Sequence, residues 1–179
     1  MTQPAAVAPP ERLVRAQPLT QAAFAPFGDV ISVETAETRM GINQGHCVRH
    51  HDLAAIDASE ADGRAGVSIF RAQPIPPPVP ITMMERHPLA SQAFMPLSGR
   101  DYLVVVAPAG PLDAAAIRAF RARGDQGVNY ARGVWHHFLL ALDAPSDFLV
   151  IDRIGSGDNL DEVDLAPNQK FLLSPDVAP

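Results

Sequence analysis

The chain has one cysteine, Cys47, in 179 residues. An internal disulfide is therefore impossible, and a small disulfide-stapled domain is excluded. Basic clusters are also lacking: the net charge is −6 and no run of Lys or Arg occurs. That argues against a nucleic-acid surface. No apolar run approaches about 18 residues, so no membrane-spanning helix is expected. The first ten residues have no basic stretch followed by an apolar core, so they do not read as a signal peptide. Together these absences make a cytoplasmic protein the default expectation. Long helical patterns are scarce as well.

Proline is abundant, with 18 copies, and hydrophobic residues make up 47%. Wholesale disorder is thereby excluded, and a turn-rich, mostly β domain is favoured. The length suits one domain with a sizeable core, spanning 1–179, with 1–10 as a flexible tail. Strands are expected at 13–16, 29–33, 66–72, 81–87, 93–97, 102–107, 126–130, 136–142 and 148–154. A short helix after Thr20 should end near Pro26. A longer helix is predicted over 113–123, with Asp113 as N-cap and Ile117 and Phe120 on one face. Residues 34–65 read as loops and short strands, 74–80 as an extended Pro-rich connector, 155–158 as a turn, and the last residues as a tail that packs or dangles.

Two polar clusters interrupt the apolar runs. They are Met84-Glu85-Arg86-His87-Pro88, continued by Ser91-Gln92, and Gly133-Val134-Trp135-His136-His137. In a strand Glu85 and His87 point the same way. Polar groups on core-facing runs need partners or a task. If the two sets converge inside a barrel, they make a metal or acid–base site. On this reading His137 faces away from His136 and serves structure or a dimer face. Trp135 reads as packing, and Cys47 as a passive thiol. Arg49, Arg86 and Arg153 read as surface or salt-bridged, and the trio His50-His51-Asp52 as loop. Arg71, at the end of an apolar strand, is either paired or ligand-binding.

The spacing Glu85-x-His87, Gln92, Gly99 resembles the first motif of the cupin superfamily, and Gly133-x-x-His136 resembles the second. Glu85 stands where the first histidine is usual, and Gln92 where a glutamate is usual. Those offsets put Glu85, His87, Gln92 and His136 at the positions that hold a divalent metal in cupins, nickel or zinc being suitable. No organic cofactor is implied.

The wider pattern is more specific. Phe27-Gly28-Asp29-Val30-Ile31, Ile42-Asn43-x-Gly45, His51-Asp52-Leu53-Ala54, Phe70-Arg71-Ala72-Gln73-Pro74, the two polar clusters and Asp152-Arg153, in order, are similar to the ureidoglycolate lyase family. The resemblance implies a cupin-type, RmlC-like β-barrel with one or two short peripheral helices, and a homodimer. It also implies cleavage of (S)-ureidoglycolate to glyoxylate and urea, late in allantoin and purine catabolism. Catalysis is then expected from His87, His136 and Glu85, with Arg71, Gln92 and Asn43 binding the small-molecule substrate. Two other readings stay open at this point: a metal-dependent cupin enzyme of another type, and a non-catalytic barrel that binds a small acid. A hydrolase releasing ammonia rather than urea is not distinguished from the lyase.

Overall fold

A computed structural model describes residues 12–177. The expected tail at 1–10 lies outside the described residues. In chain order the first elements are β1 (Arg12–Pro18), α1 (Gln21–Phe24), β2 (Gly28–Ile31), β3 (Thr38–Ile42), β4 (Cys47–His51) and β5 (Arg64–Ala72). Next come β6 (Val79–Ile81), β7 (Met83–Arg86), β8 (Gln92–Pro96), β9 (Tyr102–Ala107), β10 (Arg118–Ala122) and β11 (Gly127–Tyr130). The last are β12 (Trp135–His136), β13 (Leu140–Ala141), β14 (Ser146–Ile154), β15 (Asp161–Asp164) and β16 (Phe171–Val177).

One sheet runs β15-β7-β12-β9-β10-β1-β16-β6, with β13 also on β9. A second runs β2-β11-β8-β14-β5, and β3 and β4 form a separate hairpin. The curled sheet forms a half-barrel, as expected for a cupin-type β-barrel. Strand β9 is buried on both faces, which is why its sequence is apolar throughout. Tyr102, Val104 and Val106 enter one core with Phe94, Phe120, Tyr130, Phe148 and Val150, between the two sheets. Leu103, Val105 and Ala107 enter a second core with Val79, Ile81, Met84, Trp135 and Leu173, beneath β1, β6 and β16.

Most of the expected strands are present, and Thr20 caps α1, accepting from the Ala23 N–H at 3.2 Å. Three expectations are corrected. The 113–123 helix does not form. Asp113 does accept from the Ala115 N–H at 2.9 Å, but only a single 3-10 turn, Ala114–Ala116, follows. Residues 118–122 instead pair with five of the six residues of β9, from Arg118 opposite Val106 to Ala122 opposite Tyr102. Five ladder pairs with both core faces filled outweigh one cap worth about 1 kcal/mol. The C-terminus is not a tail, because β15 pairs with β7 and β16 lies parallel to β1. The expected strand 136–142 is broken into β12 and β13 around His137-Phe138-Leu139.

Candidate active site

Strand alternation gathers the site. On β7, Met84 turns to the second core, so Glu85 faces the barrel interior. On β12, Trp135 does the same and His136 faces inward; Glu85 and His136 are cross-strand partners. Gln92 starts β8 opposite Tyr130 of β11. His87 follows β7 directly.

The sequence expectation of convergence holds for the three residues named as catalytic. One ligand atom from each of Glu85, His87 and His136 lies within 4.8 Å of the others. The two imidazole centroids are 5.2 Å apart. His136 lies flat on Tyr130, with centroids 4.3 Å apart and planes at 8°.

The hydrogen bonds fix the tautomers. His87 Nδ1 is 2.6 Å from the Asn159 carbonyl oxygen. A carbonyl only accepts, so Nδ1 carries a hydrogen, and in the neutral ring Nε2 presents a lone pair that can take up and give a proton. His136 Nδ1 faces two acceptors, the His137 carbonyl at 3.2 Å and Glu85 Oε1 at 3.5 Å. Its Nε2 is therefore also a bare lone pair. Both Nε2 atoms and Gln92 Oε1 are buried without a hydrogen-bond partner among the described residues. Such atoms cost about 1–3 kcal/mol each when left unpaired, so the cluster is built to receive something. Two imidazole lone pairs, a carboxylate and an amide oxygen suit a divalent ion, each ring being held by its other nitrogen.

Burial dominates the electrostatics. It pushes the His136 pKa down to about 3, with His87 adding to the effect, so His136 is neutral near pH 7. Burial raises the Glu85 carboxyl; His87 opposes the rise and Glu162 reinforces it. Asp152, beside Gln92 in the sheet, is also raised by burial, against His87 and Gln92. A histidine whose folded pKa is lowered costs stability as pH falls below its unfolded value of about 6.5. The unfolding midpoint should therefore drop between pH 6.5 and 4, and His136→Asn should flatten that part of the profile. Thermal melts across this range check it; parallel profiles for the two proteins would refute it.

The site opens into a cavity of about 340 Å³ lined by Phe70, Arg71, Ala72, Glu85, Gln92, Phe94, Phe138 and Leu139. Arg71 thus lies where a substrate anion would arrive. Its Nε and Nη2 donate to both oxygens of Asp147, at 2.7 and 2.8 Å, which leaves Nη1 free to donate. Asn43 is not brought there. It sits at the exposed tip of the β3–β4 hairpin, with φ 53°.

His137 is buried beside the site but donates its backbone N–H to the Val105 carbonyl, as a structural role requires. Arg86 is paired with Asp161 and lies over Trp135 at 4.5 Å. Arg153 is neither surface nor salt-bridged. It is buried and donates to the carbonyls of Glu60, Ala61 and Ser156. His50 and His51 belong to β4 rather than a loop. Sequence reasoning missed Asp152, Tyr130 and Asn159. Asp152 had a signal, since it lies in phase with buried Phe148 and Val150 on β14. The Asn159 carbonyl had none, because a backbone group leaves no trace in residue type.

The family model described as ureidoglycolate lyase matches residues 11–171. A Burkholderia mallei protein named ureidoglycolate lyase is 59% identical over 149 residues, covering 83% of this chain and 87% of the relative. One from Brucella melitensis is 58% identical over 146 residues, covering 82% and 86%. One from Pseudomonas syringae is 50% identical over 165 residues, covering 92% and 96%. With the family model matching residues 11–171 and relatives 50–59% identical over most of their length, the chain belongs to the ureidoglycolate lyase family.

Proposed function

We propose that this protein is a carbon–nitrogen lyase that cleaves (S)-ureidoglycolate to glyoxylate and urea, in allantoin and purine catabolism. The observation that carries the reading is the set of buried, unpartnered acceptors, His87 Nε2, His136 Nε2 and Gln92 Oε1, beside Glu85. The substrate carbon bears a hydroxyl, a carboxylate and the urea nitrogen. Cleavage moves one proton off oxygen and one onto nitrogen. Glu85, ionised, takes the hydroxyl proton as the C–N bond breaks and the O–C pair becomes the glyoxylate carbonyl. Protonated His87 gives the nitrogen its proton through Nε2, while Nδ1–H stays anchored on Asn159. A proton passing from Glu85 to His87 restores the start. Gln92 Oε1 accepts from a urea N–H. His136, neutral and stacked on Tyr130, offers only a lone pair and positions Glu85.

A divalent ion, nickel or zinc, would be held by Glu85, His87, Gln92 and His136 and would polarise the substrate hydroxyl or carboxylate. Assay of pure protein for urea against ammonia tests the reaction; release of ammonia and no urea would falsify the lyase reading. Exhaustive chelation, with metal analysis, decides how His87 Nε2 is used. Activity that is lost and then restored by nickel or zinc assigns it to the ion, and unchanged turnover assigns it to the proton.

Arg71 would hold the substrate carboxylate through its free Nη1 edge, with Asp147 fixing the guanidinium. Arg71→Ala should then raise KM about tenfold or more with kcat nearly unchanged, since a carboxylate clamp contributes uniform binding. A fall in kcat alone would remove Arg71 from this role. Asn43 is assigned to substrate binding only through a second subunit. We read the protein as a cytoplasmic homodimer.

A further inference from the structure

Residues 155–160 join β14 to β15 as an exposed loop, yet Asn159 within it is half-buried and bonds twice to the turn that follows β7. Its carbonyl oxygen accepts from His87 Nδ1 at 2.6 Å, and its side-chain Oδ1 accepts from the Leu89 N–H at 2.8 Å. A backbone N–H only donates, so the amide is oriented with Oδ1 on Leu89. One residue thus fastens positions 87 and 89, on either side of Pro88. The His87 carbonyl is fastened in turn by the Gly133 N–H at 3.0 Å. The backbone and the ring of His87 are therefore both held, and rotation of the ring would break its bond to Asn159.

The loop has its own anchor. Arg153, near the end of β14, is 9% exposed and bonds only to carbonyls among the described residues. Its Nε donates to Glu60 at 2.9 Å, and its Nη2 to Ala61 at 3.1 Å and Ser156 at 2.7 Å. A buried cation without an anion costs stability and needs a reason to be kept. Its place supplies one: a single guanidinium spans the turn at Glu60–Asp62 and the start of the 155–160 loop, three residues before Asn159. Glycine lets the backbones close around it. A Cβ at Gly155 would fall 2.9 Å from Gly63 Cα and 2.8 Å from Arg153 Nη2. Gly157, with φ of 88°, turns the loop back toward Leu89, where a Cβ would lie 3.2 Å from Leu89 Cδ1.

We propose that Asn159 is a positioning residue for His87: its side chain clamps the loop so that its carbonyl keeps the hydrogen on His87 Nδ1 and leaves Nε2 bare, with Arg153 as the anchor of that loop. A free neutral imidazole prefers its hydrogen on Nε2, where the nitrogen could neither take up a proton nor bind an ion. The bond from Nδ1 to a carbonyl reverses that preference. The carbonyl alone does not suffice, because it belongs to an exposed loop. The bonds from Leu89 to Asn159 and from Arg153 to Ser156 are what hold that loop against the His87 turn. Only the effect on turnover rests on the lyase reading above; the state of the ring does not.

The tautomer is read without reference to activity, by nitrogen–proton NMR correlation spectra of labelled, chelator-treated protein at about pH 9, where imidazole side chains are neutral. His87 is identified by the signals lost in His87→Ala. In the wild type Nδ1 should carry the hydrogen. In Asn159→Ala the Nε2–H form should gain at its expense, and turnover should fall by about 10–100-fold. Asn159→Asp keeps an acceptor for the Leu89 N–H and should restore both readouts. Arg153→Lys keeps the charge but loses the planar fork that spans three carbonyls, so it should shift His87 the same way to a smaller extent. Circular dichroism checks the fold; if Asn159→Ala unfolds, Asn159→Ser, whose hydroxyl is too short to reach Leu89, takes its place. An unshifted His87 in that variant, or turnover within about threefold of wild type, overturns the positioning role. An unshifted His87 in Arg153→Lys takes Arg153 out of it. If the wild type releases no urea, the lyase reading fails, while the tautomer still decides whether Asn159 positions His87.

Discussion

His87→Ala should lower turnover by roughly 10²–10⁴, the usual cost of losing a positioned proton-transfer group. The fold should survive. His87 is half-buried, and its anchoring bond runs to one backbone carbonyl, that of Asn159. Losing a bond of this type costs about 1 kcal/mol. The substitution also removes one of the two unpartnered Nε2 atoms, so the loss is expected whether that atom serves an ion or a proton. Steady-state kinetics on a variant with a native circular dichroism spectrum provides the check. Turnover within threefold of wild type would show that the chemistry lies elsewhere in the cavity. A change confined to KM would make His87 a binding group.

The largest stability effect is expected at Phe148. Its side chain is fully buried in the core between the sheets and meets Tyr102 edge-to-face at 5.0 Å. It lies in phase with Val150 and Asp152 on β14, so the same strand builds the core and reaches the site. Phe148→Ala removes a large apolar side chain and leaves a cavity that sheet backbones on both sides keep from closing. The expected cost is about 3–5 kcal/mol, with a fall in melting temperature on the order of 10 °C for a domain of this size. Denaturant titration measures it directly. A cost below about 1 kcal/mol would mean that the core collapses around the gap.

The two effects separate cleanly. His87→Ala changes chemistry in a folded protein, whereas Phe148→Ala changes stability and reaches the site only through strand position. Their double variant should therefore be near additive in stability, because the residues share no hydrogen-bond partner.

The sequence by itself determined the class of fold and singled out the side chains that converge in the candidate site. Alternation in short apolar runs marked most of the strands, since side chains on a pleated backbone must change face at every residue. The same rule put Glu85, His87 and His136 on inward faces, and their polarity on such faces marked them as candidates for a site. What it misread were segments whose state depends on a distant partner. The cap at Asp113 and the spacing of Ile117 and Phe120 are genuine local helix signals. Residues 118–122 nevertheless pair with β9, because that strand offers an open edge and two apolar cores. Residues 171–177 form a strand because β1, more than 150 positions earlier, and β6 lie beside them. Helix signals are local and can be read within a few residues, whereas a ladder needs its second strand. The finer features of the site have the same origin. The Asn159 carbonyl that fixes the His87 tautomer, Tyr130 stacked on His136, and Asp147 occupying one side of Arg71 are relations between segments far apart in the chain. Residue types supply the groups, but only tertiary packing brings them within hydrogen-bonding range.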